Sequence, residues 1–305
     1  MTLPAGAKTT YIASSNAVDV NKFIVNISPS DTPFYSSIGE TVSLARFKEN
    51  VGDSLTAANA ANAAVEGDEF VNDTMTARPR TGNWTQIFTK VIQVSETQDV
   101  VDKYGGVTQE MPYQIKKAYK EIGTDVEKAF IIGASASGTT AAARKLDGLT
   151  ALCTTNTATA ASATTWTATA AASVTAFESA LNDLFDLMYE TGANARTVFV
   201  GGDRKRRISS LTTNVTRNTD AMERTQINVI DIYISDFGQV DIILERYVPD
   251  TYVIAVDLEY FKTAYLRRFT QERLAKTGDS KRFSVVGELT LDCGTEKAIG
   301  TLKSA

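Results

Sequence analysis

The most regular pattern of apolar and polar positions lies between residue 107 and Gly133, where apolar side chains recur at helical spacing. A break at Gly105–Gly106 precedes it, Thr108 is a candidate N-cap, and Pro112 falls in the first turn. The apolar positions are Met111, Ile115, Ala118, Tyr119, Ile122, Val126, Ala129 and Phe130. The charged positions are Lys116, Lys117, Lys120, Glu121, Asp125, Glu127 and Lys128. This pattern predicts a helix over about 107–133, roughly 40 Å long, with a buried apolar side and a solvated or interfacial charged side.

Shorter patterns follow in the second half of the chain. Apolar positions predict a second helix that ends at Gly192, and they are Phe177, Leu181, Leu184, Phe185 and Met188. A strand over Thr197–Val200 and a helix through Ile208 and Leu211 come next. The last third alternates strands with turns, and the predicted strands cover 227–234, 240–247, 252–256, 264–269, 283–291 and 298–302. Helices before strands at irregular spacing indicate an α+β fold and not a doubly wound sheet.

Apolar and polar residues alternate at both ends of the stretch from Thr41 to Val94 but not in its middle. Alternation over Val42–Phe47 and partly over Asn83–Val94 predicts two strands. The middle holds an Ala- and Asn-rich segment, its acidic residues include Glu66, Asp68 and Glu69, and its large apolar residues are chiefly Leu55, Phe70 and Met75. We therefore expect a long two-stranded excursion in which residues 50–81 contribute little to the subunit's own core. An isolated hairpin is marginal in water, so a neighbouring copy is expected to steady it.

Two segments are predicted to lack regular structure. The first runs to Gly39 and contains Pro29 and Pro33, which is typical of an extended arm. Such an arm either folds back on its own core or clamps neighbouring subunits. The second, residues 150–174, consists mainly of Thr and Ala around Trp166, and we expect an exposed loop or insertion.

Composition narrows the class of protein. The 305 residues are 43% apolar and 22% charged, which is enough for more than one lobe. A net charge of −5 argues against nucleic-acid wrapping by the whole surface, and the absence of histidine excludes histidine-based triads and zinc sites. Cys153 and Cys293 lie far apart in sequence and are expected to be free thiols in a reducing cytosol. Because the sequence has neither a signal peptide nor an apolar run of ~20 residues, no membrane partner is expected.

The sequence contains no strong motif for catalysis or ligand binding. Gly201 and Gly202 precede the basic run Arg204–Arg207, but the spacing of a phosphate-binding loop or of a dinucleotide-binding motif is absent. Four cations at the start of a helix favour a solvated or inter-subunit ion-pair face over nucleic-acid binding. The carboxylates of the last third form no defined pair, and they include Asp231, Asp236, Asp241 and Asp257. We therefore predict no catalytic residue, no cofactor, no metal site and no enzymatic activity.

Short segments spread over nearly the whole chain stand in an order that is hard to obtain by accident. They are Ile27–Phe34, Asn83–Phe88, Val94–Thr97, Asp125–Gly133, Leu146–Leu149, Tyr233–Gly238, Leu274–Asp279 and Gly287–Leu291. These segments resemble one branch of the tailed-bacteriophage major capsid proteins, the major head proteins. The order of arm, long hairpin, long helix and mixed second lobe is similar to the Hong Kong ninety-seven fold of that family.

The resemblance implies a division of the chain into the parts of that fold. These are an N-terminal arm (1–39), an E-loop hairpin (40–94), a peripheral domain (95–152) with its spine helix at about 107–133, a Thr/Ala-rich loop (153–176), an axial domain (177–258), return strands of the peripheral domain (259–293) and a C-terminal segment on the axial domain (294–305). Some relatives join the hairpin covalently to a neighbour through lysine. Lys48 and Lys90 lie in the hairpin, but no motif identifies partners for them, so we expect no crosslink.

The resemblance also implies a structural function. The expected assembly is an icosahedral head of hexamers and pentamers around double-stranded DNA, formed in the host cytoplasm and present in the virion. Expected partners are other copies of the chain, a portal, possible decoration proteins, and a separate scaffold protein or none. Two alternatives stay open: an encapsulin-like nanocompartment shell that holds cargo enzyme, and a soluble enzyme that uses carboxylates between two lobes.

Overall fold

The computed structural model describes residues 31–304 apart from 54, 57, 64–65, 68, 70–74, 76, 102–108, 161–170, 212–231 and 277. Several predictions therefore lie outside the described residues. They concern the arm before Asp31, the Gly105–Gly106 break with the Thr108 cap, the side chains of Asp68, Phe70 and Trp166, and the first residues of the strand at 227–234.

Helices and strands are mixed along the chain, and the predicted α+β class is confirmed. The helices are α1 (Pro33–Ser37), α2 (Glu96–Val100), α3 (Glu110–Ile132), α4 (Leu149–Leu152), α5 (Ala171–Glu190) and α6 (Gly202–Leu211). The strands are β1 (Gly39–Val42), β2 (Phe47–Val51), β3 (Arg80–Trp84), β4 (Gln86–Ser95), β5 (Asn156–Thr159), β6 (Thr197–Val200), β7 (Ile232–Ser235), β8 (Gly238–Leu244), β9 (Tyr252–Val256), β10 (Phe261–Arg273), β11 (Ser280–Cys293) and β12 (Ile299–Lys303). No helix in these ranges is both long enough and apolar enough to span a bilayer.

The strands of the described residues form three sheets. A four-stranded sheet has the order β1-β10-β11-β4, a six-stranded sheet has the order β5-β12-β9-β6-β8-β7, and β2 pairs with β3 alone. Strand β1 runs parallel to β10 from the pair Gly39–Lys262, and β4 runs antiparallel to β11. The excursion from the sheet is therefore shorter than the predicted range of 40–94, because both ends of that range belong to the four-stranded sheet. The strand predicted over Val42–Phe47 is wrong, because β1 ends at Val42 and β2 begins only at Phe47. Pairing of β1 with β10, which lies far along the chain, decides where this strand forms, and local alternation does not reveal that partner.

Helix α3 matches the predicted long helix, and its apolar side is buried. Ile122, Val126 and Phe130 are at most 2% exposed, as expected for a core face. The predictions for two residues of this pattern are wrong. Tyr119, expected on the apolar side, is 39% exposed, and Glu127, expected on the charged side, is fully buried. Glu127 falls on the face that packs against α1, which is formed by the end of the arm.

The six-stranded sheet lies between two clusters of buried side chains. Phe199 and Ile254 face the cluster that also contains α3, whereas Val198 and Val253 face the cluster that contains α5. Alternate residues of a strand point to opposite faces of a sheet, so β6 and β9 supply both clusters. Both faces of these strands are therefore buried from solvent, which explains their nearly continuous apolar sequences.

The Thr/Ala-rich stretch is more ordered than predicted. Residues 153–176 were expected to form a loop, but Asn156–Thr159 is strand β5, which pairs in parallel with β12, and α5 begins at Ala171. The prediction was wrong here because Thr and Ala carry little hydrophobic contrast, although threonine favours strands. Cys153, just before β5, and Cys293, at the end of β11, are both free thiols.

Candidate functional site

The most exposed apolar part of the described chain is the hairpin of β2 and β3. Its register runs from the pair Phe47–Trp84 to the pair Val51–Arg80, and the Phe47 and Trp84 rings lie 4.5 Å apart. Leu55 is 100% exposed and Met75 is 96% exposed. Both side chains lie in the segment that joins β2 to β3, and large apolar side chains in water indicate a surface that another molecule covers.

The hairpin is anchored to the core through β11. The Asn50 side-chain amide donates to the backbone carbonyl of Cys293 at 2.8 Å and to Asp292, which also pairs with Lys48 at 3.8 Å. The Asn83 amide donates to the carbonyl of Leu291 at 3.1 Å. Asn50 was predicted to lie in the stretch 50–81 that contributes little to the subunit's core, and the structure instead places it in this anchor.

A second anchor lies where β3 ends and β4 begins. The Glu288 carboxylate is 4% exposed and accepts from Thr85 Oγ1 at 2.7 Å and from the guanidinium groups of Arg144 and Arg267. Arg144 also donates from Nε to the carbonyl of Thr85 at 2.6 Å. Charge-assisted bonds of this kind are about twice as strong as neutral ones, so the network fixes the direction in which the hairpin leaves the sheet.

The charged residues predicted in the hairpin are only partly described. Glu66 and Glu69 are exposed, whereas Asp68 lies outside the described residues. Lys90 Nζ lies 3.1 Å from the Asp125 carboxylate and 3.7 Å from Glu121, and the hydrogen bond to Asp125 raises the pKa of the Lys90 amine. Lys48 pairs with Asp292, as above, so both lysines contact carboxylates of their own subunit. The expectation of no crosslink stays a prediction.

The basic run at the start of α6 is not one solvated face. Arg204 and Arg207 are 6% and 8% exposed, and burial lowers the pKa of both guanidinium groups. Arg207 lies 5.3 Å over the Phe177 ring, and Lys205 donates to the carbonyl of Ile242 at 2.9 Å. Arg206 alone of the four keeps an exposed side chain. The prediction was wrong because Arg204 and Arg207 lie on the same side of the helix as Ile208 and Leu211, which face the core.

The carboxylates singled out from the sequence do not come together. Asp236 and Asp241 are exposed, the buried Asp257 caps the turn that follows it, and Asp231 lies outside the described residues. Within the described ranges, no group of three or more Cys, Asp or Glu side chains is placed to hold a metal ion. The expectations of no metal and no catalytic residue stay predictions.

A pair of buried carboxyl groups, Glu127 on α3 and Glu245 after β8, was not predicted from the sequence. Both residues are fully buried. The Glu127 oxygens accept hydrogen bonds from the backbone N–H groups of Phe34 and Tyr35, both at 2.7 Å. Burial and the neighbouring Glu245 raise the pKa of Glu127 to about 8. A signal was present in the sequence, because Glu127 lies one helical turn before Ile131 on the apolar side of α3.

Comparison of the whole sequence with known families identifies its relatives. The family described as SU10 major capsid protein matches residues 4–305. The chain belongs to this family. The major capsid protein of Escherichia phage Phieco32 is 34% identical over 124 residues, which cover 40% of this chain and 35% of that protein. The chain thus aligns with about a third of this curated relative.

Solved structures of capsids share the fold of this SU10-family protein. The capsid of a native GTA particle has a TM-score of 0.67 at 13% identity, with 100% of this chain and 99% of that chain covered. The capsid of cyanophage A-1(L) has a TM-score of 0.66 at 12% identity, with 97% and 98% covered. The chain of Microbacterium phage Oxtober96 has a TM-score of 0.64 at 11% identity, with 95% and 96% covered. The predicted capsid fold and the predicted family are confirmed.

Proposed function

We propose that this major capsid protein builds an icosahedral phage head of hexamers and pentamers around double-stranded DNA. The observation that carries the proposal is the hairpin, which exposes Leu55 and Met75 while Glu288 and Asn83 fix its base. A rigid base with an uncovered apolar end is the arrangement that an inter-subunit contact needs, because little order is lost on binding.

The proposed parts follow the sheets. The peripheral domain (95–152 and 259–293) contains α3 with β10 and β11 of the four-stranded sheet, and the axial domain (177–258, with 294–305) contains most of α5 with β12, β9, β6, β8 and β7 of the six-stranded sheet. Strands β1 and β4 join the first sheet from the ends of the E-loop range, and β5 joins the second from the Thr/Ala-rich loop. The arm is 1–39, and the E-loop of 40–94 projects only between β1 and β4. These assignments rest on the capsid-like fold of the whole chain.

The proposed partners follow from the same function. Other copies of the chain form the shell, a portal and a scaffold protein assist its formation in the host cytoplasm, and decoration proteins bind its outside. Packaged DNA is in non-specific proximity, since a chain with net charge −5 grips nucleic acid poorly. Self-association, not catalysis, is the activity that we assign.

Electron microscopy and light scattering of the purified full chain test this proposal. We expect capsomers or closed shells, alone or with a candidate scaffold protein, with interfaces of ~2,000 Å² or more in total. A chain that stays monomeric at every concentration and salt tested, with the scaffold added, contradicts the proposal. Shells purified from infected cells that contain cargo protein and no DNA would instead identify a nanocompartment.

A further inference from the structure

Two carboxyl groups meet where the arm, α3 and the segment after β8 come together. Glu127 and Glu245 are both 0% exposed, and the carboxyl of Glu245 faces that of Glu127. Glu245 Oε1 accepts from the backbone N–H of Tyr247 at 2.9 Å, whereas its Oε2 atom is buried without a hydrogen-bond donor. Two ionised carboxylates offer only acceptors, so this contact is favourable only when the pair holds a proton.

The same pair holds the end of the arm. Glu127 accepts from the backbone N–H groups of Phe34 and Tyr35 through its two oxygens, at 2.7 Å each. Phe34 is fully buried and makes edge-to-face contacts with Phe130, Phe199 and Phe261, whose ring centroids lie 5.4–6.2 Å away. Glu127 therefore positions an aromatic side chain that joins α3 to both large sheets.

The surrounding charged and titratable groups are engaged elsewhere. From the arm, Tyr35 bonds through its hydroxyl to that of Tyr265 on β10, and Asp31 pairs at 3.7 Å with the exposed Arg246 that follows Glu245. On β10, Arg268 lies over the Tyr265 ring and bonds to Glu40 of β1 at 2.8 Å. On α3 itself, Asp125 and Lys128 are exposed. None of these cations forms an ion pair with Glu127 or Glu245.

We propose that one proton shared by Glu127 and Glu245 latches the end of the arm to the core, and that losing this proton at alkaline pH loosens the arm. The raised pKa of Glu127, about 8, agrees with this arrangement. The sign follows from linkage: the docked state binds a proton that a solvated Glu127, with its ordinary pKa of ~4.5, does not. Docking is therefore strongest at low pH and weakens as pH rises from ~4.5 to about 8.

Hydrogen exchange of the Phe34 and Tyr35 amides in the unassembled full chain, followed by mass spectrometry, tests the latch. After correction for the intrinsic pH dependence of exchange, we expect the opening equilibrium to rise about tenfold per pH unit and to level off above about pH 8. Glu245→Gln places an amide donor opposite Glu127 at every pH, so its profile is expected to be flat. Glu121→Gln, a change at a half-exposed side chain of the same helix, keeps the wild-type slope.

A wild-type profile as flat as that of Glu245→Gln would overturn the proposal. Infrared spectroscopy of the wild type supplies a measurement that does not depend on the folding of any variant. A protonated carboxylic acid band is expected at pH 7 and should vanish by pH 10, and its absence at pH 7 also refutes the latch. Both measurements are made on unassembled subunits, so their outcome is independent of whether the chain builds shells.

Discussion

Glu288 on β11 is the residue on which the base of the hairpin depends. Its carboxylate is 4% exposed and is shared by Arg144, Arg267 and Thr85. We expect Glu288→Leu to lower the free energy of unfolding by about 3 to 5 kcal/mol, because it leaves Arg144 without its anion at a poorly solvated position. Urea denaturation of unassembled subunits measures this difference.

The matched control for Glu288 is Glu259, whose pair with Arg196 lies in solvent with both side chains more than 60% exposed. Exposed pairs contribute about 0 to 1 kcal/mol, so Glu259→Leu should change stability by less than that amount. Equal losses in the two variants would contradict the anchoring role of Glu288.

At the residue scale, the sequence predicted which positions are apolar and core-facing but misplaced buried charges. Ile122 and Phe130 follow from helical spacing, and both are buried. The burial of Glu127 and Arg207 does not follow from helical spacing, because a charged residue is predicted to be exposed unless its partner is known. Their partners, the arm and the Phe177 ring, come from other segments, and a pattern along one segment carries no information about them.

Among the elements, α3 has the clearest division into a buried and a solvated face. Ile122→Ala should cost about 2 to 4 kcal/mol by leaving a cavity among buried side chains. Lys117→Ala, on the solvated face, should cost less than about 0.5 kcal/mol. Thermal melts of unassembled subunits compare the two, and a larger effect at Lys117 would show that the faces are inverted.

The hairpin is the element whose removal should separate folding from assembly. Because Asn50 and Arg80 belong to its paired and anchored base, the replacement should cover only residues 53–78, exchanged for a short Gly/Ser turn. We expect the circular dichroism spectrum and melting temperature of the subunit to stay nearly unchanged, while closed shells no longer form in electron micrographs. Unfolding of the shortened chain would place this segment in the core, and normal shells would show that it makes no essential contact.

Element boundaries were predictable where the signal is local. Helix α3 and strand β9 lie close to their predicted positions, since spacing and alternation are read within one segment. The ends of the excursion were not predictable from the local pattern. Gly39–Val42 and Gln86–Ser95 pair with β10 and β11, which come much later in the sequence. Long-range pairing decides where a projecting element begins, and local alternation does not encode it.

At the scale of the whole molecule, two clusters of core side chains share one sheet. Neighbouring residues of β9, Val253 and Ile254, face different clusters, and both are fully buried. We therefore expect one thermal transition by calorimetry of the unassembled subunit, although the sequence indicated two lobes. Val253→Ala and Ile254→Ala should lower the same melting temperature, and two peaks that respond separately would refute a shared core.

The position of β1 has a mechanical consequence for the shell that we propose. The strand stands between α1, which ends the arm, and the hairpin, so tension between these two parts passes along residues 39–42. The hydrogen bonds of a parallel ladder are evenly spaced and run at a slant between the two strands, so a pull along β1 strains the pairs from Gly39–Lys262 to Val42–Tyr265 together. Such a joint yields in shear, all pairs at once, and not by peeling from one end. The strand should therefore transmit force from the hairpin to the arm without stretching.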